Sequence, residues 1–268
     1  MSYFISAVEA SKEPPTLNNL PLRISLHLSG APYSYYRNSH LEGLIPYTLE
    51  TIAKIKEKPI TLVSLPVGRE SSYLNRGAID LAVIIHPKNE PPSSNIMQCF
   101  QTGLMKSSLY LYTLAGATPK ETNLLTIGAY RDATQPIDEG QTQLEGGGEV
   151  RYRLEGYSSH SAIFKSLASK RIDMAVSSPY AATFWGKELQ IDLVSLKKSS
   201  DLIITLCYSN SPLHANRIAT YQDFMTLSDK QQAILKNSLA EYLDQSGIQF
   251  DDYFSLSLPV KSIGPDPH

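Results

Sequence analysis

The chain has 268 residues, 42% hydrophobic and 19% charged, enough to bury one large core or two of roughly 100–130 residues each. Its formal net charge is -2 with Lys and Arg scattered along the chain, which excludes a phosphate-backbone footprint, so no nucleic acid is expected as a partner. No apolar stretch approaches the roughly 20 residues that cross a bilayer, and the start (Met1 to Pro15) lacks the basic and apolar regions of a signal peptide, so the chain is either cytosolic or exported with its signal removed.

Taken in order, Leu22 to Leu28 alternates apolar and polar residues and reads as a strand running into Ser29-Gly30-Ala31-Pro32. The loop that follows carries Tyr33, Tyr35 and Tyr36. Gly43 leads into an amphipathic helix over Ile45 to Lys56, and Pro59 to Leu65 supplies a second strand ended by Pro66-Val67-Gly68-Arg69. A short helix from Ser71 to Arg76 then feeds a buried strand at Ile79-Asp80-Leu81-Ala82-Val83. After the Pro-rich loop Pro87 to Pro92 and a β-prone run Leu109 to Leu114, a second unit begins with a strand, Leu124 to Ala129, and the turn Tyr130 to Thr134. The pattern predicts a helix from there to about Leu144, a Gly146-Gly147-Gly148 stop, a strand Val150 to Leu154 and a helix His160 to Ser169. A helix (Tyr180 to Leu189) and a strand (Ile191 to Leu196) close that unit. Leu202 to Tyr208 is a return strand, and the helices Arg217 to Met225 and Ser228 to Ser246 are expected to pack on the first unit.

One phrase occurs twice. Leu74-x4-Ile79-Asp80-Leu81-Ala82-Val83 returns as Leu167-x4-Ile172-Asp173-Met174-Ala175-Val176, every matched position displaced by 93 residues. A repeated helix, tight turn and buried strand predicts an α/β chain of two similar lobes, each a mostly parallel sheet with helices on its faces, joined by a two-strand hinge. The expected division is residues 22–114 with 204–262 in lobe one and 115–203 in lobe two. Asp80 and Asp173 are read as structural, each fixing its turn through backbone N–H groups. The six His and two Cys are too dispersed for a metal site, and no cofactor is expected; Cys99 and Cys207 allow either one disulfide or two buried thiols.

The order of Ala31-Pro32-Tyr33 after the first strand, Gly43 before the first helix, Leu74-x-x-Gly77-x-Ile79-Asp80 and Lys170-Arg171-Ile172-Asp173 resembles the family 3 extracellular solute-binding proteins, the type II periplasmic binding proteins. The resemblance spans roughly Leu22 to Tyr208 and weakens in the C-terminal helices. It implies a periplasmic receptor that closes on a small polar organic solute and hands it to a membrane permease or a sensor, most simply as a monomer. The family's arginine grip for an α-carboxylate is missing from His86-Pro87-Lys88-Asn89-Glu90-Pro91-Pro92, and its aspartate for an α-ammonium is replaced by Ser177-Ser178-Pro179. A ligand other than a standard α-amino acid is therefore expected.

In an open parallel sheet ligands gather beyond the carboxyl ends of the strands. That places Tyr36, Arg69 and His86 in the candidate site from lobe one, and Tyr130, Arg131, Thr134, Gln135, Ser158 and Ser178 from lobe two. Tyr36 would offer an aromatic wall, Arg131 a grip for a carboxylate, Arg69 either a ligand contact or a cap for a nearby carbonyl, and the helix-opening loops of Thr134 and Ser158 their backbone N–H groups. Thr134-Gln135 matches the family's hydroxyl and amide pair. Two other readings remain open: a sensing module of a membrane signalling protein, and a dehydratase-like enzyme on the same scaffold, for which no catalytic residue stands out.

Overall fold

The computed structural model describes residues 20–66, 68–88, 96–100, 103–117, 124–130, 139–143, 149–245, 247–250, 254–256 and 258, without the side chains of 139–143, 149–150 and 213. In chain order these form β1 (Leu22–Leu26), β2 (Tyr35–Arg37), β3 (His40–Glu42), α1 (Leu44–Ile55), β4 (Ile60–Ser64), α2 (Glu70–Asn75), β5 (Leu81–Pro87), β6 (Met97–Cys99), β7 (Met105–Leu114), β8 (Leu124–Tyr130), β9 (Glu139–Gln143), β10 (Glu149–Tyr157), α3 (His160–Ala168), β11 (Met174–Ser177), α4 (Pro179–Leu189), β12 (Leu193–Ser209), α5 (Ile218–Met225), α6 (Asp229–Asp244) and β13 (Ser255–Leu256). A short 3-10 helix, Pro212–Arg217, leads into α5.

The main sheet runs β4-β1-β5-β12-β7-β11-β8-β10-β9. At one end β4, β1 and β5 are parallel; at the other β11, β8 and β10 are parallel. Between them stand β12 and β7, antiparallel to each other from Leu193↔Leu114 to Ile204↔Met105. These two strands are the hinge between two α/β lobes. The strands expected at Ile191 to Leu196 and Leu202 to Tyr208 are one 17-residue strand, with register shifts between Ser195 and Lys197 and between Lys198 and Ser200.

The repeated phrase folds the same way twice. Gly77 and Lys170, at matched positions, both take left-handed backbone conformations (φ 67 and φ 57). In the first turn the N–H of Gly77 bonds Leu74 O and that of Ala78 bonds Tyr73 O; in the second, Lys170 bonds Leu167 O and Arg171 bonds Ser166 O. This is the helix-ending arrangement in which a left-handed residue redirects the chain and satisfies the last carbonyls. Asp80 then exchanges two bonds with Arg23 on β1: its N–H donates to Arg23 O at 2.8 Å and its Oδ2 accepts from Arg23 N at 2.9 Å. Asp173 makes the same pair of bonds with Thr126 on β8, also at 2.8 and 2.9 Å. Each aspartate thus locks its strand onto the neighbouring strand rather than closing its own turn. The buried Asp80 carboxylate is also bonded by Arg217 and by Arg23 Nε at 3.2 Å.

One expected element is overturned. The helix predicted to reach Leu144 is, from Glu139, the strand β9, paired antiparallel with β10 from Gln143↔Glu149 to Glu139↔Arg153. Its sequence, Glu-Gly-Gln-Thr-Gln, has no apolar stripe for a helix to bury, and Gly and Thr disfavour one. Elsewhere the C-terminal helices pack on lobe one as expected: Tyr47 of α1 stacks on Tyr242 of α6 with ring centroids 4.3 Å apart. Cys99 and Cys207, register partners on β6 and β12, form a disulfide.

Candidate functional site

A cavity of about 310 Å³ lies where the strand ends of both lobes meet the hinge. Lobe one contributes His27, Ser29, Tyr33, Glu70 and His86; the hinge strands contribute Ser107, Leu109, Leu202 and Ile204; lobe two contributes Ala129, Tyr130, His160, Val176 and Ser178.

Tyr33 reaches across the cleft because its loop is pinned to α1. The N–H groups of Leu44 and Ile45 bond Pro32 O and Tyr33 O at 3.1 and 3.0 Å, and Gly43 sits so close that a Cβ there would lie 2.3 Å from Tyr33 O. The Tyr33 side chain, 6% exposed, donates its hydroxyl proton to Ser178 and packs edge-on against Tyr180. Burial pushes that hydroxyl well above its ordinary pKa, with the neighbouring Ser178 and Ser107 hydroxyls opposing the shift. Ser178 is also the N-cap of α4, accepting from Ala181 N at 3.2 Å. A second bond joins the lobes, from Trp185 Nε1 to Ala31 O at 2.9 Å.

The titratable lining divides into three environments. His160 opens α3 and lies with its ring stacked on Tyr130, centroids 5.5 Å apart and planes 15° apart, and its Nδ1 3.3 Å from Ser177 Oγ. Burial lowers its pKa to about 4, so the ring is neutral at physiological pH. Glu70 sits in the first turn of α2, with Oε1 2.9 Å from His27 Nε2. Burial pushes the Glu70 carboxyl up, but the His27 hydrogen bond and the backbone N–H groups of Glu70 and Gly68 outweigh it and hold it below the usual carboxylate range. His86 Nδ1 lies 2.8 Å from Pro87 O, and a carbonyl only accepts, so Nδ1 is the donor there and Nε2 is the ring nitrogen that accepts when the imidazole is neutral.

Of the residues picked from the sequence, His86, Tyr130 and Ser178 come together on this cavity. Tyr36 does not line it: the residue lies on the β2–β3 hairpin, 52% exposed, with its hydroxyl 3.1 Å from Ser64 Oγ. Arg69 is exposed at the N-cap of α2, and its neighbours Gly68 and Glu70 reach the cavity instead. Ser158 is exposed too, and Ser159 caps α3 through Ala162 N at 3.2 Å. Arg131, Thr134 and Gln135 lie outside the described residues. Sequence reasoning passed over Tyr33 in favour of Tyr36, and it missed His27, Glu70, Ser107 and His160. The signal for Glu70 is an acidic residue opening a short helix a few residues past a strand end.

No protein-family model and no curated protein matches the sequence. Solved structures are similar in fold. A putative L-cystine ABC transporter protein from Listeria monocytogenes is 12% identical with a TM-score of 0.59, over 88% of this chain and 99% of that one. The arginine-, lysine-, histidine-binding protein ArtJ from Geobacillus stearothermophilus is 12% identical with a TM-score of 0.55, over 86% and 96%. The BvgS VFT2 domain from Bordetella pertussis is 11% identical with a TM-score of 0.57, over 81% and 92%. The chain therefore has the two-lobed type II periplasmic binding protein fold along nearly the whole length of these structures.

Proposed function

We propose that the chain is an extracytoplasmic receptor that closes on a small solute between its two lobes, and that it is not an enzyme. The observation that carries this reading is the cavity lined at once by lobe one, lobe two and the hinge strands. A ligand there gains contacts from both lobes only when they are together, so binding favours the closed state. On this reading lobe one comprises residues 22–114 and 204–262 and lobe two 115–203, and the loop after Tyr130, with Arg131, Thr134 and Gln135, completes the site. The ligand is not a standard α-amino acid, since Ser178, standing where an ammonium partner is expected, is neutral and already bonded to Tyr33 and Ala181.

The Cys99–Cys207 disulfide supports a compartment outside the cytosol, where such bonds persist. On this reading the receptor is a monomer that delivers its solute to a transporter. A histidine kinase sensor domain is also among the solved structures of similar fold, which favours a second reading in which the same closure is read by a signalling partner. A thermal-shift screen over amino acids, organic acids, polyamines, sugars and aromatic metabolites tests the receptor. A ligand at a hundred times its Kd adds about 2.7 kcal/mol, a rise of roughly 5 °C for a chain of this size. No rise in any class refutes it.

A further inference from the structure

The chemistry of the cavity lining narrows the solute. Most of its wall is hydrocarbon, from Ile84, Ile85, Leu109, Val176, Leu202 and Ile204. One corner is aromatic: the stacked Tyr130 and His160 rings, with Tyr33 tilted against His160 at 5.5 Å. The polar groups that interrupt this wall mostly accept. His86, its Nδ1 donating to Pro87 O, has Nε2 as its accepting nitrogen when neutral, and the Glu70 carboxyl, 2.9 Å from His27 Nε2, is held below the usual carboxylate range. Ser107 Oγ is buried on β7 and makes no hydrogen bond of good geometry, while the proton of the adjacent Tyr33 hydroxyl goes to Ser178.

Among the described residues, what would hold an anion is taken or absent from the lining. Among the described residues no Lys or Arg lines the cavity. The first N–H groups of α1 are bonded to the Pro32 and Tyr33 carbonyls, and the starts of α3 and α4 are capped by Ser159 and Ser178. Among the described residues, a carboxylate entering here would be desolvated beside another carboxylate with no Lys or Arg to meet it. The volume fits a ring: about 310 Å³ is twice the roughly 150 Å³ that accommodates benzene in a dry apolar cavity.

Resting on the receptor reading above, we propose that the cavity takes an apolar molecule of one or two rings that donates a hydrogen bond and carries no carboxylate, a simple phenol or indole being the minimal form. The rings pack on the Tyr130–His160 corner and the hydrocarbon wall. The donor meets Ser107, His86 or Glu70.

The test is calorimetric titration of the full chain, stripped of co-purified solute in guanidinium without reductant and refolded to its native circular dichroism. The probes are 4-methylphenol, indole, toluene, tyramine, phenylacetate, L-arginine and L-glutamate. The expected result is that 4-methylphenol or indole binds at least tenfold more tightly than phenylacetate, and that Ser107→Ala, a change of one buried atom, weakens 4-methylphenol three- to tenfold while leaving toluene unaffected. Tyramine binding more tightly than 4-methylphenol supports the same assignment, with Glu70 as the partner of the amine. Phenylacetate or an amino acid binding more tightly than the neutral rings overturns the assignment yet leaves the receptor standing, and loss of that binding in Arg131→Ala identifies the missing cation. Absence of binding by all seven probes also overturns it, and a flat screen across every solute class removes the receptor reading with it.

Discussion

His160 is neutral in the fold and titrates freely once the chain unfolds, which makes acid stability a measure of its burial. Its pKa falls from 6.5 to about 4 on folding because the buried ring resists charging. A histidine depressed in this way costs nothing above pH 6.5, where both states are neutral. As pH falls from 6.5 towards 4 the unfolded chain takes up a proton that the folded chain refuses, and stability is lost over that window. At pH 5 the loss works out at about 2 kcal/mol, and at pH 7.5 it is about 0.1 kcal/mol or less. His160→Asn keeps a hydrogen-bonding atom near Ser177 Oγ and removes the titration. Denaturant unfolding of both proteins at pH 7.5, 6.5, 5.5 and 5.0 isolates the term, since every other group cancels in the difference. The stability of the wild type relative to the variant should drop by about 2 kcal/mol between pH 7.5 and 5. A difference that stays constant across that range refutes the buried, neutral ring.

Three further outcomes are expected. The disulfide closes 108 residues, so reducing it, or replacing both cysteines in Cys99→Ala/Cys207→Ala, should cost up to about 5 kcal/mol and roughly 9 °C in Tm; calorimetry showing less than about 1 kcal/mol would mean that the unfolded chain is not constrained by the link. The paired left-handed turns should respond with opposite signs: Gly77→Ala, whose Cβ would also meet His214 at 3.3 Å, loses about 1–2 kcal/mol, and Lys170→Gly gains about 1 kcal/mol in urea unfolding. Changes of the same sign contradict the shared geometry. Tyr33→Phe removes one of the hydrogen bonds that join the lobes, and amide exchange in the first turn of α4 should accelerate three- to tenfold; unchanged exchange shows that the hydroxyl does not help hold the lobes together.

Local rules carried most of the helices and the repeat. Helix α6 begins where Ser228 and Gln231 form a capping box, and α1 starts after Gly43, so their apolar stripes and start signals agreed. What escaped was set by tertiary pairing. Lys197-Lys198-Ser199-Ser200 reads as a loop but is the exposed middle of β12, kept in a strand by β7 alongside it. The strand β9 has no periodicity of its own and exists through β10. Strand-end logic led to the region of the cavity, since His86, Tyr130 and Ser178 all sit at or just past the ends of β5, β8 and β11. It failed to tell Tyr33 from Tyr36 because a chain reversal at Gly30–Ser34 erases the alternation that assigns facing. Glu70 and His27 are 43 positions apart in the chain, and Ser107 lies within the hinge, so no local pattern announces them.

The long pairing of β7 with β12 has a mechanical meaning. Two hydrogen-bonded ribbons cannot stretch or slide past each other without breaking their ladder, but sheets accommodate changes of twist at little cost. The two lobes are therefore coupled by something closer to a torsion spring than to a loose tether, with one soft direction of movement and several stiff ones. The irregular steps at Ser195/Lys197 and Lys198/Ser200 interrupt the ladder within this spring. Any partner that distinguishes the loaded from the empty molecule would then be sensing an angle, since the distance between the lobes' inner strands hardly has room to change.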